Sequence, residues 1–402
     1  VARIRLQLIL ACAILMPTTF EAQQPVSTAP LNRTPEVRAA FEHFYDLDYP
    51  GALARFTSIA AAHPGDPMAT DYLLHVVVFS ELYRLDLLDT TFYATDGFLS
   101  GRHVVPEDPQ VRDRVRALAE KAIQQADVEL KQNNKDANAL YARGWARALD
   151  AVYTAMVERS FGSALRMAFG AKNDCEDALK ADPNYVDAKL VTGDYQYVMG
   201  ALPMTFKLIF GMAGLSGSKS KGMEMLSDDA ARGVVTSVEA NTSRMLFLRR
   251  EARYSEAEQI AHTLSAEYPH DFLFPLEEAN LAKDSGNAAQ AIALYRRVIE
   301  SARQPGYFNN PHLELPYYGM GDTLRGQKMY PDAVVAYENA AEAVHANLDL
   351  KRRCLLAAAQ VYDLMHDHAR ARGVYQQVID LGSDAPQAEQ ARKWMKNGYE
   401  GK

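Results

Sequence analysis

One three-point signature returns along this chain: a small residue, a usually large one four positions later, and an apolar one three after that. The spacing puts all three on one face of an α-helix. Ala291, Tyr295 and Val298 carry it, as do Ala333, Tyr337 and Ala340, and Ala371, Tyr375 and Val378. Ala257, Ala261 and Leu264 repeat it with alanine at the large position. Ala52, Phe56 and Ile59, and Ala171, Cys175 and Ala178, extend it toward the N-terminus. Pro64, Pro183 and Pro269 follow three of these sets, where a helix has to stop. A chain that repeats one helix face in this way folds as an array of similar helical units.

In the later units a second small residue stands twelve positions upstream: Ala279 before Ala291, Gly321 before Ala333 and Ala359 before Ala371. Two helices joined by a short turn approach closely only where small side chains meet at the crossing. Gly286 marks one such turn. The pattern resembles the tetratricopeptide repeat family, whose unit is about thirty-four residues. The family's tryptophan early in the first helix is replaced here by residues such as Tyr317 and Leu355. The resemblance spans 33–64 and nearly all of 120–383. It implies an all-α, right-handed superhelical solenoid of about eight helix pairs.

Two units are stretched. Residues 160–170 and 198–215 are expected to add helical insertions to the third and fourth pairs, and both are apolar. Phe161, Leu165, Met167 and Phe169 mark the first; Lys207 is the one charge of the second. The two are expected to pack on each other. Residues 202–226 are similar to a segment of the inclusion-body-clearance branch of tetratricopeptide proteins. The expected division is a leader at 1–22, a flexible tether at 23–34, N-terminal units with insertions at 35–235, regular units at 236–383, and a capping helix and tail at 384–402.

A net charge of -8 lacks the basic footprint that a phosphate backbone requires, so nucleic acid is not an expected partner. Arg3 and Arg5 followed by the apolar run 6–16 read as an export signal. Three exits stay open: cleavage near Ala22, an uncleaved anchor, or lipid attachment at Cys12, where Ile9-Leu10-Ala11-Cys12 resembles a bacterial lipobox. The expected location is the periplasm or cell envelope. Cys175 and Cys354 fall on apolar helix positions and read as buried thiols.

No nucleophile motif, phosphate loop or zinc-ligand spacing stands out, so no enzyme, cofactor or metal is expected. His366-Asp367-His368 falls at a hairpin turn, and the pairs Asp228-Asp229 and Glu277-Glu278 read as solvated faces. In the family, one stripe of each first helix faces the concave groove. Carried across, the resemblance implies partner contacts at Tyr141, Trp145, Leu190, Asp194, Tyr197, Arg249, Asn280, Lys283, Tyr318, Asp322 and Arg325. The leading expectation is an extracytoplasmic interaction scaffold that docks a protein or peptide in that groove. The alternative is a periplasmic small-molecule or lipid carrier, with 160–170 and 198–215 forming a pocket or a surface that meets membrane. A tunnel bounded by 160–215 would favour the carrier; a flat groove at Tyr141, Trp145 and Tyr197 would favour the scaffold.

Overall fold

A computed structural model of the chain describes residues 25–95, 97–100, 106–209 and 214–401. The expected leader and Cys12 lie outside them. Among the described residues there are nineteen α-helices and no strand. The first three hairpins pair α1 (Pro35–Tyr45) with α2 (Tyr49–Ala62), α3 (Pro67–Arg84) with α5 (Pro109–Gln132), and α6 (Ala137–Met156) with α7 (Phe161–Ala181). The fourth and fifth pair α8 (Ala188–Ala201) with α10 (Lys219–Arg232) and α11 (Ser237–Arg250) with α12 (Tyr254–Glu267). Then α13 (Leu273–Asp284) pairs with α14 (Ala288–Ala302), α15 (Glu314–Gly326) with α16 (Tyr330–Glu342), and α17 (Leu348–Leu364) with α18 (His368–Asp380). Short helices α4 (Gly97–Ser100) and α9 (Met204–Ile209) lie in the long connections of the second and fourth pairs, and α19 (Pro386–Asn397) packs on the last pair as the cap.

The six signature sets are buried on the second helices of their pairs. The large residue lies against the small residue of the partner helix. A Cβ added at Gly321 would come 2.8 Å from the Tyr337 ring, and one at Gly144 would come 2.6 Å from Cys175 Sγ. A further copy, Gly222-Leu226-Asp229 in α10, places a buried aspartate at the apolar position.

Seven of the eight hairpins turn in a similar way among the described residues. Leu47, Asp86, Ala252, Gly286, Lys328 and His366 each adopt a left-handed backbone two residues past a first helix, and Arg159 does so three residues past α6. The next amide then reaches back across the helix end, as Met329 N does to Leu324 O at 2.9 Å and Arg253 N to Leu248 O at 2.9 Å. This six-to-one bond satisfies a carbonyl that the helix end leaves open.

In the third pair the extra residues lengthen both helices, to 20 and 21 residues, rather than adding a separate helix. The two apolar stretches do pack together, with Leu165 and Ala168 from the first and Leu215 from the second packed on buried Tyr195 and Met199. The expected tether departs further from the sequence reading. Its residues 25–34 form an arm docked on the fold, with Ser27 N donating to Asn184 O at 2.9 Å and Thr28 Oγ1 to Asp187 at 3.0 Å. Leu31 and Asn32 are buried, and Tyr72 Oη donates to Asn32 Oδ1. Proline and serine content suggested a linker, but these few side chains find partners on α3 and before α8.

The solenoid closes on itself. Tyr45 at the end of α1 donates to Glu239 of α11 at 2.9 Å and packs its ring 5.1 Å from Tyr268. Asn309 Nδ2 donates to Asp46 O, and Tyr83 Oη to Asn310 O, each at 2.9 Å. The first two units thus meet the loops and helices of the fifth to seventh, and part of the concave face is covered.

Candidate functional site

Closure leaves a cavity of about 530 Å³ at the centre of the turn. Each wall comes from a different part of the chain. Phe44 of α1 and Phe79 of α3 form one side; Trp145, Leu149, Val152 and Met156 of the long α6 form another. The two stretched segments contribute Phe161, Leu165, Val198, Met199 and Leu202. The described residues within 87–99 of the connection between α3 and α5 lie against the concave face and add Leu87, Leu88, Tyr93, Phe98 and Leu99. Thr90 pins that loop by donating to Glu277 at 2.5 Å, and Arg249 Nη1 donates to Thr90 Oγ1 at 2.7 Å.

A few polar groups interrupt the apolar wall. Burial pushes the carboxyl groups of Asp194 and Glu239 up to about 7, and that of Asp271 up to about 8. Glu277 is raised to about 7, because its burial outweighs the attraction of Arg249. Beside Glu239, His75 Nε2 lies 3.7 Å away, and burial lowers that imidazole to about 3. Among the described residues no donor reaches the buried Asp194 Oδ1. Arg250, which donates to Tyr93 O at 2.7 Å, adds a cation. A deep, partly open apolar space with a few convergent polar groups suits a hydrophobic molecule bearing a small polar head.

The helix pairs, their register and their turns decide the architecture. Its fold is that of the tetratricopeptide repeat. No protein-family model matches the sequence, and no curated protein does. Among solved structures the chain is similar to pilF of Pseudomonas aeruginosa, at 17% identity over 70% of this chain and 98% of that one, with a TM-score of 0.37. Yeast Tom70 is 12% identical over 90% of this chain and 88% of its own, with a TM-score of 0.37. A tetratricopeptide repeat protein from Parabacteroides merdae is 14% identical over 80% and 97%, with a TM-score of 0.35.

The expected contact residues divide into three groups. Trp145, Leu190, Asp194, Tyr197 and Asn280 line the cavity. Tyr141 and Arg249 are buried behind it, and neither offers an open surface. Tyr141 packs on Trp145 and Tyr185, at 6.1 and 5.0 Å between ring centroids. Arg249 is ion-paired with Glu277 and Asp284. Lys283, Tyr318, Asp322 and Arg325 lie away from the cavity; Asp322 accepts from Tyr337 at 2.6 Å, and Arg325 donates to Tyr399 at 2.6 Å. The family stripe was read as an open groove, but the α3–α5 connection and the closed ring cover much of it.

Two carboxylate pairs also differ from the sequence reading. Asp229, Glu277 and Glu278 are buried rather than solvated, because they meet Thr236, Arg249 and His262 across neighbouring helices. His366-Asp367-His368 does form a turn, where Asp367 caps α18 through Arg370 N. Cys175 and Cys354 are buried free thiols. The wall residues that sequence reasoning missed, Phe44, Phe79, Tyr93 and Phe98, come from the first helices of the first two units and from a connection with no register of its own.

Proposed function

We propose that this chain is an exported carrier of a hydrophobic small molecule or a lipid chain, held in the cavity inside the closed solenoid. The observation that carries the reading is the apolar space of about 530 Å³ bounded by both stretched segments. Its size falls within the usual range for small-molecule sites, about 300–1,000 Å³. The leader-like residues 1–22 support an extracytoplasmic location.

A second reading, an interaction scaffold, is supported by α9. Met204, Leu208 and Ile209 are 59%, 62% and 71% exposed on one short helix beside the cavity. Such a lip suits contact with a partner protein or a membrane surface during loading.

The test combines native mass spectrometry after gentle purification, with solvent extraction, and titration with the apolar fluorophore N-phenyl-1-naphthylamine. A carrier holds a co-extracted hydrophobic ligand or binds the fluorophore at one per chain. Ala148→Trp and Ala155→Trp, which fill the wall of α6, should weaken fluorophore binding at least about tenfold while leaving helicity intact. An empty protein that ignores the fluorophore would remove the carrier reading and leave the scaffold.

A further inference from the structure

Away from the cavity wall, three side chains from two distant segments meet in a buried cluster. Asp86 occupies the left-handed turn after α3, while His312 and Glu314 lie at the start of α15. Their ligand atoms all lie within 4.8 Å of one another. His312 and Glu314 side chains are 2% and 0% exposed, and Asp86 is 14% exposed.

The hydrogen bonding does not balance. His312 Nδ1 lies 2.5 Å from Asp86 Oδ1 and 3.2 Å from Glu314 Oε1, yet it carries at most one hydrogen. Neither oxygen of the fully buried Glu314 has a hydrogen-bond partner among the described residues. An imidazolium would offset one of the two carboxylate charges and leave the other without a counter-charge, an unfavourable arrangement at low exposure. A divalent cation with a neutral imidazole would offset both.

We propose that Asp86, His312 and Glu314 form a binding site for a zinc-class divalent metal ion. One imidazole nitrogen and two carboxylate oxygens are a donor set that this class accepts. Ligand atoms about 2.0–2.2 Å from zinc stand about 3.3 Å apart in a tetrahedron, so the His312–Glu314 separation already fits and the Asp86 contact opens by less than about 1 Å. A fourth position falls to water. Bound there, the ion fastens the root of the α3–α5 connection, which continues into the cavity wall at Leu87 and Leu88, to the seventh unit.

The test starts from the full chain, stripped with a chelator, dialysed against zinc chloride and then metal-free buffer, and analysed by inductively coupled plasma mass spectrometry and calorimetric titration. The site should retain one zinc per chain and raise the thermal midpoint. Glu314→Gln and Asp86→Asn should weaken zinc binding by about a hundredfold or more, since losing even a partner behind a ligand costs about 10–100-fold. X-ray absorption of the wild-type zinc form keeps the proposal testable should a variant fold poorly. It should report nitrogen and oxygen neighbours with one imidazole. No retained zinc, zinc retained equally by Glu314→Gln, or sulfur or imidazole-free neighbours would each overturn the site.

Discussion

Arg249 has its guanidinium committed on two sides: Nε donates to Asp284 Oδ2 at 2.7 Å, and Nη1 donates to Thr90 at 2.7 Å and meets Glu277 at 3.2 Å. With its side chain 2% exposed, it organises carboxylates that would otherwise be buried without a counter-charge. Breaking a buried pair by removing one partner costs about 3–5 kcal/mol. Arg249→Ala should lower unfolding stability by about that amount in a urea titration, and Arg249→Met with Glu277→Gln should recover part of the loss. A single-variant cost below about 1 kcal/mol would mean the α3–α5 connection is not held through this residue. From sequence alone, an arginine on a groove stripe reads the same whether it faces a partner or another part of its own chain. Arg249 was therefore legible as a groove residue but not as a buried clamp.

At the scale of helices, six hairpin turns place a non-glycine residue in left-handed backbone, where a side chain is disfavoured by about 1–2 kcal/mol. Lys328 is exposed and makes no side-chain contact that the turn needs, whereas Asp86 and Leu47 have partners or burial to lose. Lys328→Gly should stabilise the chain by about 1 kcal/mol, seen as a higher urea midpoint with an unchanged slope. The opposite change at a helix crossing should destabilise: Gly144→Ala sets a methyl against Cys175 Sγ and Ala171 O and should cost about 1–3 kcal/mol. These crossings were readable in advance because close packing restricts the residue type at each point of the signature. The α10 copy escaped notice because Asp229 fills an apolar position, where its carboxylate accepts from Thr236 at 2.7 Å. The α3–α5 connection escaped for a different reason. No periodicity constrains a segment whose side chains are set by distant walls, so its path across the groove depends on tertiary contacts.

Closing the array into a ring places several acids in one poorly hydrated interior, and this gives the whole molecule a pH dependence with a definite sign. Asp194, Glu239 and Glu277 are raised to about 7 and Asp271 to about 8, chiefly by burial, whereas unfolded carboxyls titrate near 4. Between those values the folded chain binds more protons than the unfolded one, so its stability falls as pH rises. His75 works the other way: lowered to about 3 by burial, it favours the folded state as pH rises toward its unfolded value near 6.5, and then contributes no further change. The acids therefore dominate above about 6.5. The thermal midpoint should be lower at pH 8.5 than at pH 6.5 by about 3 °C or more, and Asp271→Asn with Glu239→Gln should flatten the difference. A midpoint that rises across that interval would show that the interior acids are already ionised in the folded chain. Apolar-probe affinity should decline over the same interval, because each proton lost from Asp194 or Glu239 places charge on the cavity wall where a hydrophobic molecule has to sit.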